Sequence, residues 1–359
     1  MTALAPIGSN ATRLWGLTAG QRLGRMARAQ KMDVRPDGTL LVNLGFAFDP
    51  SWLKLAAAKP GLVVTREGVA VLANAGPDRE DIRRSMEQGL PYSGQGLAWE
   101  EADGIGNDEL RKKERPFMDR LAPETVRALE RASYFGAYKG VTDILTKYLW
   151  PEWALVLTRW AARIGISPNQ VSLIGALLCL LATWLFYEGR YWPGLAAGLA
   201  FMVLDTVDGK LARCTITSSK IGGAIDHGID LVHPPFWWWA WGVGLHAWGR
   251  PLAPEVFWWT LAVIVGGYVV QRLIEGAFIA RFGMHIHVWR PFDSRFRLIT
   301  ARRNPNMVIL LAFLLAGRPD WGLVALAAWT LISLVVHLVQ LAQAMAAKAA
   351  GRPVVSWLA

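Results

Sequence analysis

Four aspartates stand at spacings that chemistry can use: Asp205 and Asp208 are three residues apart, and Asp226 and Asp230 are four apart. Such separations put each pair on one face of a helix. Both pairs lie in long apolar runs, where an ionised carboxylate is costly and usually functional. A tight connection through Thr215 to Lys220 would bring the two faces together, so that four carboxylates meet at one level. At low dielectric they cannot all stay ionised without a compensating cation. Oxygen-only ligation selects a hard divalent ion such as Mg2+, Mn2+ or Ca2+, and Mg2+ commonly works on phosphate substrates. Gly209 and the Gly222-Gly223 pair let a ligand approach the backbone, and Arg213 is placed to engage a phosphate oxygen. The set suits a pyrophosphate. His227 and His233 each lie within a turn of an aspartate and are expected as packing or supporting groups.

The elements that must hold these residues are hydrophobic. Of 359 residues, 53% are hydrophobic, 18% are charged and 19 are tryptophan, which excludes a disordered or fibrous chain. Six apolar stretches, at about 169–187, 191–212, 222–248, 254–281, 304–317 and 321–346, approach the roughly 20 residues a spanning helix needs. The fifth is short. In their connections, fifteen Lys and Arg fall on one side against three on the other, which predicts that both termini are cytoplasmic. Trp150, Trp153, Trp184, Trp192, Trp321 and Trp357 lie near span ends, as interfacial anchors would.

Charge divides unevenly as well. Residues 1–138 carry 19 Lys and Arg against 17 Asp and Glu, whereas residues 139–359 carry 19 against 11. The basic half is the hydrophobic half, so the expected partner is a lipid bilayer and not nucleic acid. Two cysteines, Cys179 and Cys214, are too few for a disulfide framework and fit a reducing setting. No apolar signal-peptide core is visible in residues 1–30.

The first 138 residues read as soluble. A strand-forming stretch at 39–48, a helix at 50–58 and strands at 61–65 and 69–73 make a small βαββ unit, with helical pieces near 78–88 and 123–133. The connector 134–167 mixes Trp150, Trp153, Trp160, Lys147 and Arg159 with apolar residues, the pattern of an interfacial helix. The predicted fold is therefore mainly α, a six-helix integral membrane bundle preceded by a small α/β cytoplasmic domain. Its expected divisions are a 1–120 α/β domain, a 121–167 linker with an interfacial juxtamembrane helix, a 168–348 six-span domain and a 349–359 cytoplasmic tail.

Read as a string, Asp205-Thr-Val-Asp208-Gly209-Lys-Leu-Ala212-Arg213, then eight residues, then Gly222-Gly-Ala-Ile-Asp226-His-Gly-Ile-Asp230 resembles the signature of the CDP-alcohol phosphotransferase family. The pattern fixes eight residues over 26 positions. The resemblance spans about residues 139–346 and includes Pro168-Asn169 at the start of the first stretch. It implies that a hydroxyl attacks the β-phosphate of a CDP-linked donor, CDP-diacylglycerol or a CDP-polyol, and that CMP leaves. It assigns Asp205, Asp208 and Asp226 to the metal, and Asp230 to the proton of the attacking hydroxyl while also facing a metal. Asn169, Asp208, Gly209, Ala212, Arg213 and Gly222 are the implied CDP-binding positions. The cofactor expected is Mg2+ or Mn2+, as two ions. The expected setting is a multi-pass protein of the inner or plasma membrane, with a cytoplasmic active site and a homodimer as a further partner. A loose phosphoryl-transfer transition state chiefly needs positioning and charge neutralisation, which such a site provides.

Acceptor binding is expected from basic residues. Five arginines lie within the 14 residues Arg290 to Arg303, and Arg297, Arg302 and Arg303 among them would attract a phosphorylated acceptor. Lys139 and Arg272 are further candidates, although Arg272 and Glu275, three apart, also suit an intrahelical ion pair. Two other readings compete: a divalent-cation carrier lined by intramembrane carboxylates, and an inactive CDP-lipid binding protein.

The N-terminal unit looks like a reduced nucleotidyltransferase fold whose glycine-rich, basic loop is replaced by Ile7-Gly8-Ser9-Asn10-Ala11-Thr12-Arg13. The expectation is a non-catalytic remnant. An isolated segment of residues 1–120, incubated with CTP and sugar or polyol phosphates, is expected to form no CDP-alcohol. Its appearance by chromatography would make the protein bifunctional.

Overall fold

The computed structural model describes residues 2–107, 110–218 and 220–358, with the side chains of 220–227 outside that description. Most of the chain is helical, behind an N-terminal α/β sheet region. That region opens with β1 (Ala3–Ile7), α1 (Ala19–Ala29), β2 (Asp33–Val34), β3 (Leu40–Asn43) and β4 (Phe46–Phe48). It continues through α2 (Pro50–Ala58), β5 (Val63–Arg66), β6 (Val69–Asn74), α3 (Arg79–Gln88) and β7 (Leu97–Ala98). It closes with the hairpin of β8 (Ile105–Asn107) and β9 (Lys112–Glu114) and with β10 (Met118–Arg120), which pairs antiparallel to β4.

The predicted βαββ unit is present but incomplete as a description. Among the described residues the main sheet has six strands in the order β2-β1-β3-β6-β5-β7, because β1 and then β2 extend the expected core on one side and β7 extends it on the other, all by parallel pairing. β1 and α1 escaped the sequence reading for different reasons. β1 is only five residues long and contains Pro6, while α1 is rich in arginine and shows its apolar face only through Leu23, Met26 and Ala27. Thr18 starts α1 with a capping box to Gln21.

The second half comprises α4 (Val126–Gly136), α5 (Pro151–Ile164), α6 (Pro168–Tyr187), α7 (Tyr191–Cys214), α8 (Lys220–Gly244) and α9 (Pro254–Phe282). It ends with the short α10 (Pro291–Phe296), then α11 (Arg303–Leu315) and α12 (Pro319–Ala349). Each of α6, α7, α8, α9, α11 and α12 coincides with one of the six apolar stretches. Among the described residues, three of them, α6, α9 and α12, are long and apolar enough to cross a membrane by length and composition. α7 ends in Asp205, Asp208, Lys210 and Arg213, and α11 has 13 residues, so their hydrophobic signal is weaker.

α6 lies against α7 and α8, while α12 lies against α9 and α11. Ser167 caps α6 with Gln170 and Pro168 occupies its first turn, which fixes where that helix begins. Near the far end of α6 the core is aromatic: Phe186, Tyr191, Trp237, Trp238 and Trp241 are buried, and the Tyr191 hydroxyl donates to Trp241 O at 2.6 Å. The tryptophans thus divide. Trp153, Trp160, Trp184 and Trp321 are exposed, as anchors should be, but Trp150 is buried and its indole donates to Thr206 Oγ1, so this expected anchor is a core residue. Its neighbours explain this: α5, which Trp150 precedes, packs along α7, and the indole joins the core formed by α6, α7 and α8.

The α/β region is joined to the helices by more than the chain. Leu14, Trp15 and Ala19 share a core with Ala154, Leu155, Val207 and Leu211. The buried Arg22 guanidinium donates to Cys214 O at 3.1 Å, and Arg25 donates to Thr215 O at 2.6 Å. These carbonyls end α7, where helical partners run out and the dipole is negative, so α1 supplies both the donors and the charge. Burial pulls the Arg22 guanidinium down to about 10. Arg22→Ala is expected to destabilise the protein by about 1.5–3 kcal/mol, the scale for losing a charged hydrogen bond. A fall in the thermal unfolding midpoint in detergent would register it, with Arg28→Ala, which the helix leaves in the open, as the comparison.

Candidate functional site

α7 and α8 carry the aspartates to one end of the bundle. Arg303, in the first turn of α11, donates from its two terminal nitrogens to Asp205 Oδ2 and Asp230 Oδ1, each at 2.7 Å. Two carboxylates from separate helices therefore face one point that accepts a positive centre. The guanidinium also rests 4.9 Å over the Phe201 ring. Asp208, one turn after Asp205, is buried and accepts from the Ser172 hydroxyl of α6 and the Gly209 N–H. Ionisable oxygens from α7 and α8 at one level form a donor set of the hard kind. Asp226 and Gly222 lie outside the described side chains, as does His227. His233 Nδ1 donates to Ile229 O at 2.7 Å and the ring packs edge-on against Phe201 and Trp237, which makes it a packing residue.

A cavity of about 260 Å³ opens beside this pair. Its lining includes Asp205, Gly209, Arg213 and Asp230 together with Lys139, Arg272, Arg297, Arg302 and Arg303, so sequence candidates scattered over 165 positions share one space. Gly209 lies close under Arg213: a Cβ would sit 3.1 Å from its terminal nitrogen, so the guanidinium would have to shift. Asn169 is exposed and, with Ala212 and Asp208, lies outside the cavity lining.

The cations differ in how they are neutralised. Arg272 and Arg302 both pair with Glu275, Arg272 at 3.0 Å, so the expected intrahelical pair exists and is shared with a second arginine. Arg297 is buried, and its Nε and one terminal nitrogen have no partner among the described residues. Burial holds it well below its ordinary range. Lys139 is also lowered, first by burial and then by Arg111 and Arg213. Asp143 binds Asn304 Nδ2 at 3.0 Å and Thr146. Burial raises its carboxyl, but the charge of Arg297 and these hydrogen bonds outweigh that and hold it low.

Sequence reasoning missed Arg111, Tyr268 and the histidines behind Glu275. Arg111 follows a polar, turn-rich stretch, and its only local signal is the basic run Arg111-Lys112-Lys113. His287 and His337 bring ligand atoms to within 4.8 Å of a Glu275 oxygen, a group that could hold a metal ion. Two guanidiniums already neutralise that carboxylate, which favours an ion-pair network over a cation.

That network stands at the wall of the cavity and orients two of its cations. Glu275→Ala is expected to cost about 3–5 kcal/mol, since it strands buried guanidiniums. Thermal unfolding in detergent measures this, and a midpoint equal to the wild type would remove Glu275 from the framework.

Residues 165–339 match the family model described as CDP-alcohol phosphatidyltransferase. The chain is 44% identical over 70 residues to an archaetidylinositol phosphate synthase of Pyrococcus horikoshii, covering 19% of this chain and 37% of that protein. It is 32% identical over 127 residues to cholinephosphotransferase 1 of Gallus gallus, covering 32% and 36%. It is 33% identical over 93 residues to a phosphatidylinositol phosphate synthase of Streptomyces avermitilis, covering 25% and 38%. The chain thus spans less than two-fifths of the length of each of these relatives. The segment 165–339, which holds both aspartate helices and the arginines of α11, is a domain of the CDP-alcohol phosphatidyltransferase family.

Proposed function

We propose that the protein transfers a substituted phosphate from a CDP-linked donor, CDP-diacylglycerol or a CDP-polyol, to an acceptor hydroxyl and releases CMP. The observation that carries this reading is the convergence of Asp205 and Asp230 at the mouth of a cavity rich in unpaired cations. Six helices, α6 to α9 with α11 and α12, form the spanning bundle, with the cavity and both termini on the cytoplasmic side. The carboxylates of Asp205, Asp208, Asp226 and Asp230 would hold Mg2+ or Mn2+, whose charge would offset the pyrophosphate and the departing CMP. Arg213 and Gly209 receive the CDP phosphates. Asp230 takes the proton as the acceptor oxygen bonds to the β-phosphorus and the bond from that phosphorus to the CMP oxygen breaks. The N-terminal region serves as a non-catalytic partner to the bundle: in the loop after β1, Asn10 is committed to Leu121 O and so is not free to grip a nucleotide.

The cation surplus bears on the acceptor. Arg111, Lys139, Arg213 and Arg297 line the cavity without a carboxylate within ion-pair distance among the described residues. More than one anionic group is needed to balance them, which favours a polyol phosphate over a neutral alcohol and disfavours a cationic choline. Two similar relatives are named as synthases of inositol phosphate lipids, in keeping with that choice.

The test is CMP release by the purified full-length protein in nanodiscs, across a panel of CDP-donors and acceptors with and without Mg2+. At least one pair with a polyol phosphate is expected to react only with metal. Asp205→Asn should lose turnover with weakened metal binding. Asp230→Asn should retain cytidine-nucleotide affinity and lose about 100-fold or more in kcat, the scale of general-base catalysis. Divalent-cation flux through vesicles without CMP release would establish the carrier instead.

A further inference from the structure

We propose that Arg111, carried by the N-terminal α/β region outside the matched family domain, is an anion-binding residue of the cavity, so that this region completes the acceptor-phosphate site of the bundle. Resting on the phosphotransferase reading for the nature of the anion, the proposal stands on three independent observations of placement.

The first is position. Arg111 lies in the turn between β8 and β9, and its side chain lines the same cavity as Lys139, Arg213, Arg297 and Arg302. It stands 54 residues before the family domain begins. The second is the absence of any internal task for its guanidinium. Among the described residues Arg111 makes no side-chain hydrogen bond or ion pair, and its Nε is buried without a partner. A guanidinium is the side chain suited to grip a phosphate through two oxygens at once, and burying one unpaired is otherwise unfavourable.

The third is the backbone. Arg111 has φ +52°, in the left-handed region that a residue with a Cβ rarely adopts. The turn is nevertheless pinned at two places, Gly140 and Gly136. Gly140 N donates to Leu110 O at 2.8 Å. A Cβ on Gly140 would come within 2.7 Å of Arg111 O, so only glycine permits the approach. The Lys112 ammonium donates to Gly136 O at 2.6 Å, at the end of α4. A strained conformation held by its surroundings, and aiming an unpaired cation into a cavity, is the pattern of a functional position. Burial together with the neighbouring Arg302 lowers this guanidinium to about 10, which an incoming anion would reverse.

The two roles open to Arg111, gripping an anion and holding the hairpin, make opposite predictions for stability. Arg111→Gly removes the guanidinium and also the backbone strain, and Arg111→Asn keeps a side chain that tolerates the left-handed region. The probe is inorganic phosphate, titrated calorimetrically into full-length protein in phosphatidylcholine nanodiscs, with no donor present. Arg35→Gln, an exposed change of equal charge in the same region, serves as the control. Both Arg111 variants are expected to raise the phosphate Kd roughly tenfold or more with an unfolding midpoint at or above the wild type, while the control binds normally. An unchanged Kd in both would overturn the proposal. A lowered midpoint in both would overturn it too, by assigning the residue to the hairpin. In turnover, a rise in KM for a polyol phosphate with little change in kcat is the matching signature. Failure of the wild type to release CMP would sink the phosphotransferase reading while leaving the phosphate titration to decide Arg111.

Discussion

Charge buried at the end of an apolar bundle must be balanced locally, and much of this structure follows from how that is arranged. Arg303 bridges Asp205 and Asp230. Glu275 gathers Arg272 and Arg302, with His287 at 3.4 Å behind it. Both clusters join separate helices: α7, α8 and α11 in one, α9, the segment before α10 and α11 in the other. Most of these groups are largely withdrawn from water, Asp230 being the most open of them, so each carboxylate helps fix the position of a guanidinium and each guanidinium a helix end. The first turn of α11 belongs to both clusters through neighbouring arginines. This helix is therefore the keystone of the cavity, although it is the shortest of the six.

The remaining cations are left over from that balance, and their surplus gives the cavity its chemical character. Arg297 is buried and Lys139 lines the same cavity, and desolvation together with neighbouring cations holds both below their ordinary range. A multiply charged anion entering the cavity would restore their ordinary protonation and gain affinity from it.

The α/β region shares in this arrangement. Its α1 satisfies the last carbonyls of α7 through Arg22 and Arg25, and its β8–β9 turn rests on Gly140 beside the cavity. The C-terminal end of α7 carries Gly209 and Arg213, so the ordering of that end reaches the chemistry directly. An accessory domain held this closely acts as part of the wall.

Much of the site was legible in the sequence because its signals are local. Asp205, Asp208, Gly209 and Arg213 lie within one stretch of helix, where spacing alone decides which side chains share a face. The six apolar stretches were legible for a similar reason, since length and hydropathy are properties of a segment, and each coincides with a helix of the structure. What depended on tertiary structure is every partnership across the chain. A separation of 98 positions conceals the ion pair of Asp205 and Arg303, and nothing near Trp150 announces that it will join the core of α6, α7 and α8. Likewise Glu275 gave away its neighbour Arg272, three residues off on the same helix, but not Arg302 on another. Arg111 was hidden for the most basic reason: a short basic run in a polar turn has no periodicity to single out one member, and only the docking of that turn on Gly140 sets it beside the cavity. Sequence thus determined which residues could do chemistry and which helices hold them, whereas the electrostatic pairing of distant charges, set by where helices meet, decided which cations remain free to bind.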